Sequence, residues 1–299
     1  MSQIQARWTA DRIERALPDV RAEITIVKTT GDRIRDRSLM EIGGQGVFTK
    51  ELDAALLENR IDLAVHSLKD LPTRVTDGLY LAAVPERADP RDVWIGRESR
   101  TLEALPAGAV VGTGSLRRRA QILALRPDLK AVDIRGNVDT RIRKVYESED
   151  LSGVILAAAG VLRLGRESEI TEFLELENWL PAPGQGALAI VTRHDDEAVR
   201  EIAAIIDHTA TRTAVSAERA LLAHMKAGCH VPVGAWGHIE GDALFLNGFI
   251  GHPDGLRIVR GRMHGPAAEP QSLGVALAEQ LLTDGGHDVL DDLLRSGRI

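Results

Sequence analysis

The spacing of apolar residues changes several times along the chain, and each change marks an element. In "FTKELDAALLENR" (48–60) Phe48, Leu52, Ala55 and Leu56 fall on one helical face, and the "IDLAV" that follows reads as a short buried strand. Between about 106 and 158 the pattern alternates: "AVVG" as strand, "SLRRRAQILAL" as helix, "AVDI" as strand, "NVDTRIRKVY" as helix and "GVILAA" as strand. Strands separated by single helices pair in parallel with helices on the faces, so this region predicts an α/β domain. A long helical stretch over 210–226 leads to a tail of different character. There "ALFLNGFIG" and "LRIVRGRMH" read as strands joined by a His-Pro-Asp-Gly turn, and helices are predicted near 271–283 and 287–295. This part reads as a small α+β domain. The segments "ERADPRD" (86–92) and "LPAPGQG" (180–186), rich in Pro, Gly and charge, read as crossings between lobes.

A chain of 299 residues has room for about two or three domains. Its 44% hydrophobic and 27% charged content is that of a globular protein, and no apolar run approaches the roughly 20 residues that cross a bilayer. The N-terminal residues show no charged leader followed by an apolar segment, and a cytoplasmic protein is expected. Charge is unevenly spread. From Gly112 to Tyr146 nine basic residues stand against three acidic ones, net +6, so with −7 overall the remainder carries −13. A basic island in an acidic chain points to an anionic ligand small enough for one pocket, and with 3% aromatic residues no nucleic-acid partner is expected.

Two segments of that island repeat one design. "VVGTGSLRRR" sets a Gly-rich turn after a strand and puts Ser115 at a helix N-cap, where free N–H groups and the helix dipole favour an anion. It lacks the third glycine of a dinucleotide fingerprint, Arg117 standing there, and the lysine of a phosphate-binding loop. "DIRGNVDTRIRK" sets Arg135 before Gly136, Asn137 as an N-cap and Arg141 one turn on. Adjacent parallel strands aim their C-terminal ends at one crevice, so both arginine groups would face it. In "AVHSLKDLPT" (64–73) another strand ends in His66, Ser67, Lys69 and Asp70. A carboxylate beside an anion site is costly unless a cation forms there, so a ligand that becomes positive during reaction would account for both signs. The alternative is a solvated Lys-Asp pair of little consequence. The histidines show no metal-ligand spacing, and the single cysteine, Cys229 in "MKAGCHVPVGA", makes no zinc site. Cys229 is a nucleophile, an attachment point or a small buried residue.

The strings "VHSLKDLPT", "GTGSLRRRAQ", "RGNVDTRIRK", "LPAPGQGALAI" and "GCHVPVGA", in this order, closely resemble the porphobilinogen deaminase (hydroxymethylbilane synthase) family of tetrapyrrole biosynthesis. The resemblance runs from about Gln5 onward. It implies a transferase of heme and tetrapyrrole biosynthesis that adds four porphobilinogen units, with loss of ammonia, to a dipyrromethane cofactor, and releases the linear tetrapyrrole by hydrolysis. It further implies that Cys229 bears the dipyrromethane through a thioether and that Asp70 is the catalytic aspartate. Lys69, Ser115, Arg117, Arg118, Arg135 and Arg141 would hold the cofactor's carboxylates. Ser67, Arg135 and Arg141 would bind porphobilinogen and the growing polypyrrole. The implied fold is α/β: two lobes like those of type II periplasmic binding proteins plus a small α+β C-terminal domain. The first lobe would take 1–86 and 186–205, the second 91–180, and the cysteine-bearing domain 209–299, in a monomer with no membrane partner.

Three departures accompany the likeness. The chain starts at "MSQIQARW", where the family has a strand ending in T-R-x-S, so the first strand is expected to be absent from the first lobe. Glu41 and Gln45 stand where lysines are frequent, and Gly114 replaces a common serine. They leave a second expectation open: a weakened paralogue, or a non-catalytic two-lobed binder of small anions.

Overall fold

The computed structural model describes residues 1–27, 49–98, 100–226 and 231–297. Three sheets organise it. Helix α1 (Ser2–Ala16) and helix α2 (Lys50–Leu57) flank the first, in which β1 (Leu63–Ser67) and β2 (Leu79–Ala83) each pair antiparallel with β8 (Leu188–Arg193). Strand β8 is central because its apolar run is buried on both faces, so the chain's return completes the sheet that its beginning starts. Leu56, Leu68, Ala189 and Val191 form its core, joined by Val215 from a later helix.

The second sheet runs in the order β5-β4-β6-β3-β7. Its strands are β3 (Asp92–Gly96), β4 (Val110–Gly112), β5 (Lys130–Val132), β6 (Gly153–Ala157) and β7 (Glu172–Leu174). Helix α3 (Leu116–Leu125) links β4 to β5, and α4 (Val138–Glu147) links β5 to β6. The parallel pairing expected of this alternation is present: β4 lies parallel to both β5 and β6. Strand β3 enters antiparallel between β6 and β7, because it is fed from a crossing and not through a helix. Helices α5 (Ala158–Arg163) and α6 (Glu197–Ala204) follow β6 and β8 respectively.

The third sheet is an antiparallel meander of β9 (Val233–Glu240), β10 (Ala243–Gly251) and β11 (Ile258–Pro266). Helices α7 (Thr209–His224) and α8 (Pro270–Leu281) cover one face, and α9 (His287–Arg295) closes the core around Leu221, Leu246 and Leu277. Gly274 lets α7 and α8 touch: a Cβ there would lie 2.3 Å from the Ala217 carbonyl oxygen. The sequence pattern leads into this domain through a turn at His-Val-Pro-Val-Gly; the structure starts β9 at Val233, so Val233 and Gly234 already belong to the sheet.

Residues 84–91 and 180–187 cross between the first two sheets side by side. The Ala88 amide donates to the Gly186 carbonyl at 3.3 Å. Gly186, at φ +87°, has no room for a side chain, since a Cβ would meet the Ala88 carbonyl oxygen at 2.5 Å. Glu218, on α7 and fully buried, binds the crossings to the third domain. It accepts from both Arg87 Nη groups at 2.6 and 3.1 Å, from the Gly184 amide at 2.6 Å and from the Gly237 amide at 2.8 Å.

Candidate functional site

Strand β1 delivers one wall of the site. Leu68, buried under the return crossing and hydrogen-bonded through its amide to the Ala187 carbonyl at 3.0 Å, pins a single helical turn, Leu68–Asp70. That anchor aims Lys69 and Asp70 away from the core. Asp70 is open to solvent yet set deep among protein atoms, and this desolvation raises its carboxyl, with the Lys69 charge opposing. Desolvation likewise lowers the Lys69 ammonium, offset by Asp70 and Asp92 and reinforced by the charges of Arg118 and Arg117. Lys69 therefore lies within electrostatic reach of the other lobe. Ser67 Oγ accepts from Gln5 Nε2 at 2.8 Å, so α1 braces the end of the strand. His66 points to the opposite face; its Nε2 is buried without a partner, and burial lowers its pKa against the pull of Asp53.

The second wall is built from the starts of α3 and α4. Ser115 and Asn137 are N-caps, accepting from the amides of Arg118 at 3.4 Å and Thr140 at 2.8 Å. Arg117 and Arg118 are both buried, and both are held by Asp92, the first residue of β3. Arg117 Nη1 donates to Asp92 Oδ2 at 2.8 Å and to the Leu180 carbonyl at 2.6 Å. Arg118 Nη2 donates to Asp92 Oδ1 at 2.7 Å and its Nη1 to the Ile155 carbonyl at 3.0 Å. Trp179 Nε1 and Gln185 Nε2 complete the carboxylate, each at 2.8 Å. Burial alone would raise Asp92, but the charges and hydrogen bonds of Arg117 and Arg118 drive it far below the carboxylate range.

Arg135 pairs with Asp133 at 2.9 Å, and Arg141 Nε donates to the Gly136 carbonyl at 2.7 Å. Arg141 is lowered first by burial and then by the charge of Arg118, with Arg135 adding to the effect and Asp133 opposing it. Its neighbours are thus mostly cations. Arg163 on α5 is also lowered by burial and donates to the Gly186 carbonyl at 2.9 Å.

The structure thus brings Lys69, Asp70, Arg117 and Arg118 into one electrostatic neighbourhood and sets Arg135 and Arg141 beside it, with Ser115 capping the helix that carries the central pair. Cys229, Glu41 and Gln45 lie outside the described residues. Asp92, Arg163 and Gln5 do not stand out in the sequence, and Gln185 lies in "LPAPGQGALAI" without a role being read from it; the "RADPRD" that ends at Asp92 is the one signal that could have pointed to that residue, and it reads as a crossing. Arg118 Nε is buried without a partner and Arg141 sits mostly among like charges, so the wall has cationic capacity that its own carboxylates do not use. That fits a polycarboxylate. Among the described residues no group of three or more acidic, His or Cys side chains could hold a metal, and no helix is long and apolar enough to cross a membrane.

A family model described as porphobilinogen deaminase, dipyromethane cofactor binding domain, matches residues 1–201, and one for the porphobilinogen deaminase C-terminal domain matches residues 212–283. A porphobilinogen deaminase of Geobacter sulfurreducens is 49% identical over 289 residues, covering 97% of this chain and 90% of the relative. That of Carboxydothermus hydrogenoformans is 46% identical over 291 residues, covering 97% and 93%. Among solved structures, an arginine-specific periplasmic binding protein of Salmonella typhimurium aligns over 67% of this chain and 80% of its own, with 16% identity and a TM-score of 0.37. A TRAP periplasmic solute-binding protein of Ralstonia eutropha covers 98% and 92% at 15% identity and a TM-score of 0.36. Backbone likeness at this level says nothing about ligand.

Proposed function

The chain belongs to the porphobilinogen deaminase family, transferases that join porphobilinogen units with loss of ammonia into a linear tetrapyrrole on a dipyrromethane cofactor, and we propose that the cleft between β1 and the starts of α3 and α4 carries that reaction here. The observation behind this reading is that Lys69, which feels the charge of Asp70 in the first lobe, also lies within electrostatic reach of Arg118, Asp92 and Arg117 in the second.

In this reading Arg118, Arg135 and Arg141 pair with acetate and propionate arms, Arg117 steadies Arg118's helix turn and reaches the same groups, and Lys69 and Ser115 assist. Guanidinium forks suit carboxylates because two parallel N–H groups match two oxygens. Arg163, a half-buried cation hydrogen-bonded to a carbonyl, joins them. The dipyrromethane, which Cys229 would hold, would supply the pyrrole carbon that the first unit joins as its ammonia leaves. Asp70 faces the substrate's pyrrole N–H, stabilises the positive charge that develops as ammonia leaves, and holds or releases a proton at its carboxylate oxygen. Its raised affinity for a proton suits that exchange. Ser67, steadied by Gln5, helps seat the incoming unit.

The division of the chain into lobes at 1–86 with 186–205 and at 91–180, and a third domain at 209–299, goes with the same reading. So does a cytoplasmic monomer acting on small anions and not on nucleic acid: a single cysteine kept free for a thioether suits a reducing compartment. Intact mass tests the core of it. The purified protein should exceed its sequence mass by two porphobilinogen units less two ammonia, and Cys229→Ser should lose both that increment and turnover. Full activity in unmodified protein would refute the proposal.

A further inference from the structure

Asp92 stands out from the other buried acids. Its side chain is fully buried, and its two oxygens take four donors from three separate stretches of chain: Arg117 and Arg118 on α3, Trp179 just before the return crossing, and Gln185 within it. Gln185 Nε2 also donates to the Pro90 carbonyl at 2.8 Å, and the Gln185 carbonyl accepts from Arg87 Nε at 2.7 Å. The arginines are therefore tied through one carboxylate to both crossings between the lobes. Gln121, one turn along α3, reinforces the tie by exchanging hydrogen bonds with the backbone of Leu180 at 2.8 and 3.0 Å.

Two roles are open to such a carboxylate. It can hold the arginines' place until ligand carboxylates displace it, or it can stay and fix the direction in which the guanidinium groups present their remaining N–H donors. The first role requires Asp92 to give up donors while it remains buried, which leaves a charge without partners inside the protein. Each of its oxygens already has two donors, the full complement for a carboxylate, and no part of it reaches solvent. The second role costs nothing further, because each guanidinium has five N–H groups and Asp92 takes one from each arginine.

We propose that Asp92 is a positioning residue for cofactor binding: it never touches the dipyrromethane or the substrate, but sets the orientation of Arg117 and Arg118 and couples it, through Gln185, to the two crossings. The inference rests on the reading of the cleft given above. It implies that the cofactor's carboxylates meet arginines already aimed, and that a change in the angle between the crossings is transmitted to the arginine pair.

The test uses the full-length protein, comparing wild type with Asp92→Asn and Asp92→Glu by intact mass, thermal unfolding and steady-state kinetics. For Asp92→Asn the expected result is a fall in the fraction carrying the dipyrromethane increment and a rise in KM for porphobilinogen of about ten- to a hundred-fold, the range for charge-assisted hydrogen bonds. Turnover per loaded molecule should stay within about threefold of wild type, because nothing that Asp92 touches reacts. Asp92→Glu, which keeps the charge, should recover part of the loading. A protein that merely melts earlier, with wild-type loading and KM, would overturn the proposal, as would a loss confined to kcat. Should Asp92→Asn fail to fold, Trp179→Phe decides. It removes one donor while leaving the carboxylate and both arginines, and it should raise KM in the same direction by a smaller factor; an unchanged KM would sink the idea. Wild type without the increment would instead count against the functional reading itself.

Discussion

Asp70, beside Lys69, and Asp92, held by Arg117 and Arg118, are both carboxylates that act on the same lysine, yet their proton affinities move in opposite directions. Burial raises both, so burial does not separate them. What separates them is the count of donors. Asp92 receives four, two of them from guanidinium groups, and stays ionised far into acid. Asp70 has Lys69 as its opposing charge, an ammonium that burial itself weakens. A carboxylate that must meet a transient positive charge cannot already have its lone pairs filled, whereas one that orients other side chains must. In the proposed site the first lobe supplies a solvent-open acid with one opposing charge and the second an acid whose oxygens are filled.

Glu218 offers the largest test of that distinction. It is saturated like Asp92 but its donors are Arg87 and two backbone amides, and not Arg117 or Arg118. Glu218→Ala leaves Arg87 without its carboxylate and should cost about 3–5 kcal/mol of stability. Loading per folded molecule, measured below the melting temperature, should stay near wild type. If loading falls as it does in Asp92→Asn, saturation alone, and not the arginine link, governs cofactor binding.

Asp70→Asn comes next. Turnover should drop by roughly 10²–10³, as when a preorganised charge-stabilising group is removed, while most of the cofactor stays attached. Near-wild-type turnover would remove Asp70 from catalysis. Its stability effect has a defined sign. A carboxylate whose folded pKa is raised weakens the fold above that pKa, so Asp70→Asn should melt no lower than wild type at neutral pH. Asp92, whose folded pKa is depressed, contributes stability that is present above the unfolded value of about 3.9 and lost only as pH falls through the much lower folded one. A lower melting temperature for Asp70→Asn at neutral pH would erase the contrast.

The pH profile sharpens the comparison further. The acid limb of kcat/KM should fall above the ordinary carboxylate range of about 4 and vanish in Asp70→Asn. A limb at the ordinary position would mean that the cleft does not desolvate this acid. The smallest effect belongs to Asp133, an exposed acid paired with Arg135. Asp133→Asn should change stability by less than about 1 kcal/mol in urea unfolding, marking the baseline against which Asp70 and Asp92 are read.

Much of the second lobe was legible because its determinants are local. The β4-α3-β5-α4-β6 alternation and the caps Ser115 and Asn137 are each set by residues within a turn or two of one another. Asp92 was not legible for the opposite reason. Its partners lie 25, 26, 87 and 93 residues away, and no periodicity links a strand's first residue to a glutamine in a distant crossing. Gln5 reaching Ser67 across 62 residues is the same kind of contact. The start of strand β9 was hidden by Pro232 and Gly234, which read as a turn until the neighbouring strand supplies its hydrogen bonds. The five motifs that carried the family likeness hold the residues proposed to meet ligand and some of their ties, Gln121 and Gln185 among them, whereas Asp92, Trp179 and Gln5 fall outside every motif.

One carboxylate joins Arg87 from one crossing, Gly184 from the other and Gly237 from the third sheet. Unfolding the C-terminal domain by itself would strip Glu218 from the crossings and expose an uncompensated guanidinium in the lobes; unfolding the lobes would leave Glu218 bare in the domain. Neither half can melt cheaply while the other stays folded. Three cores that are separate in composition are thereby made one cooperative unit, and heating should release them in a single calorimetric transition.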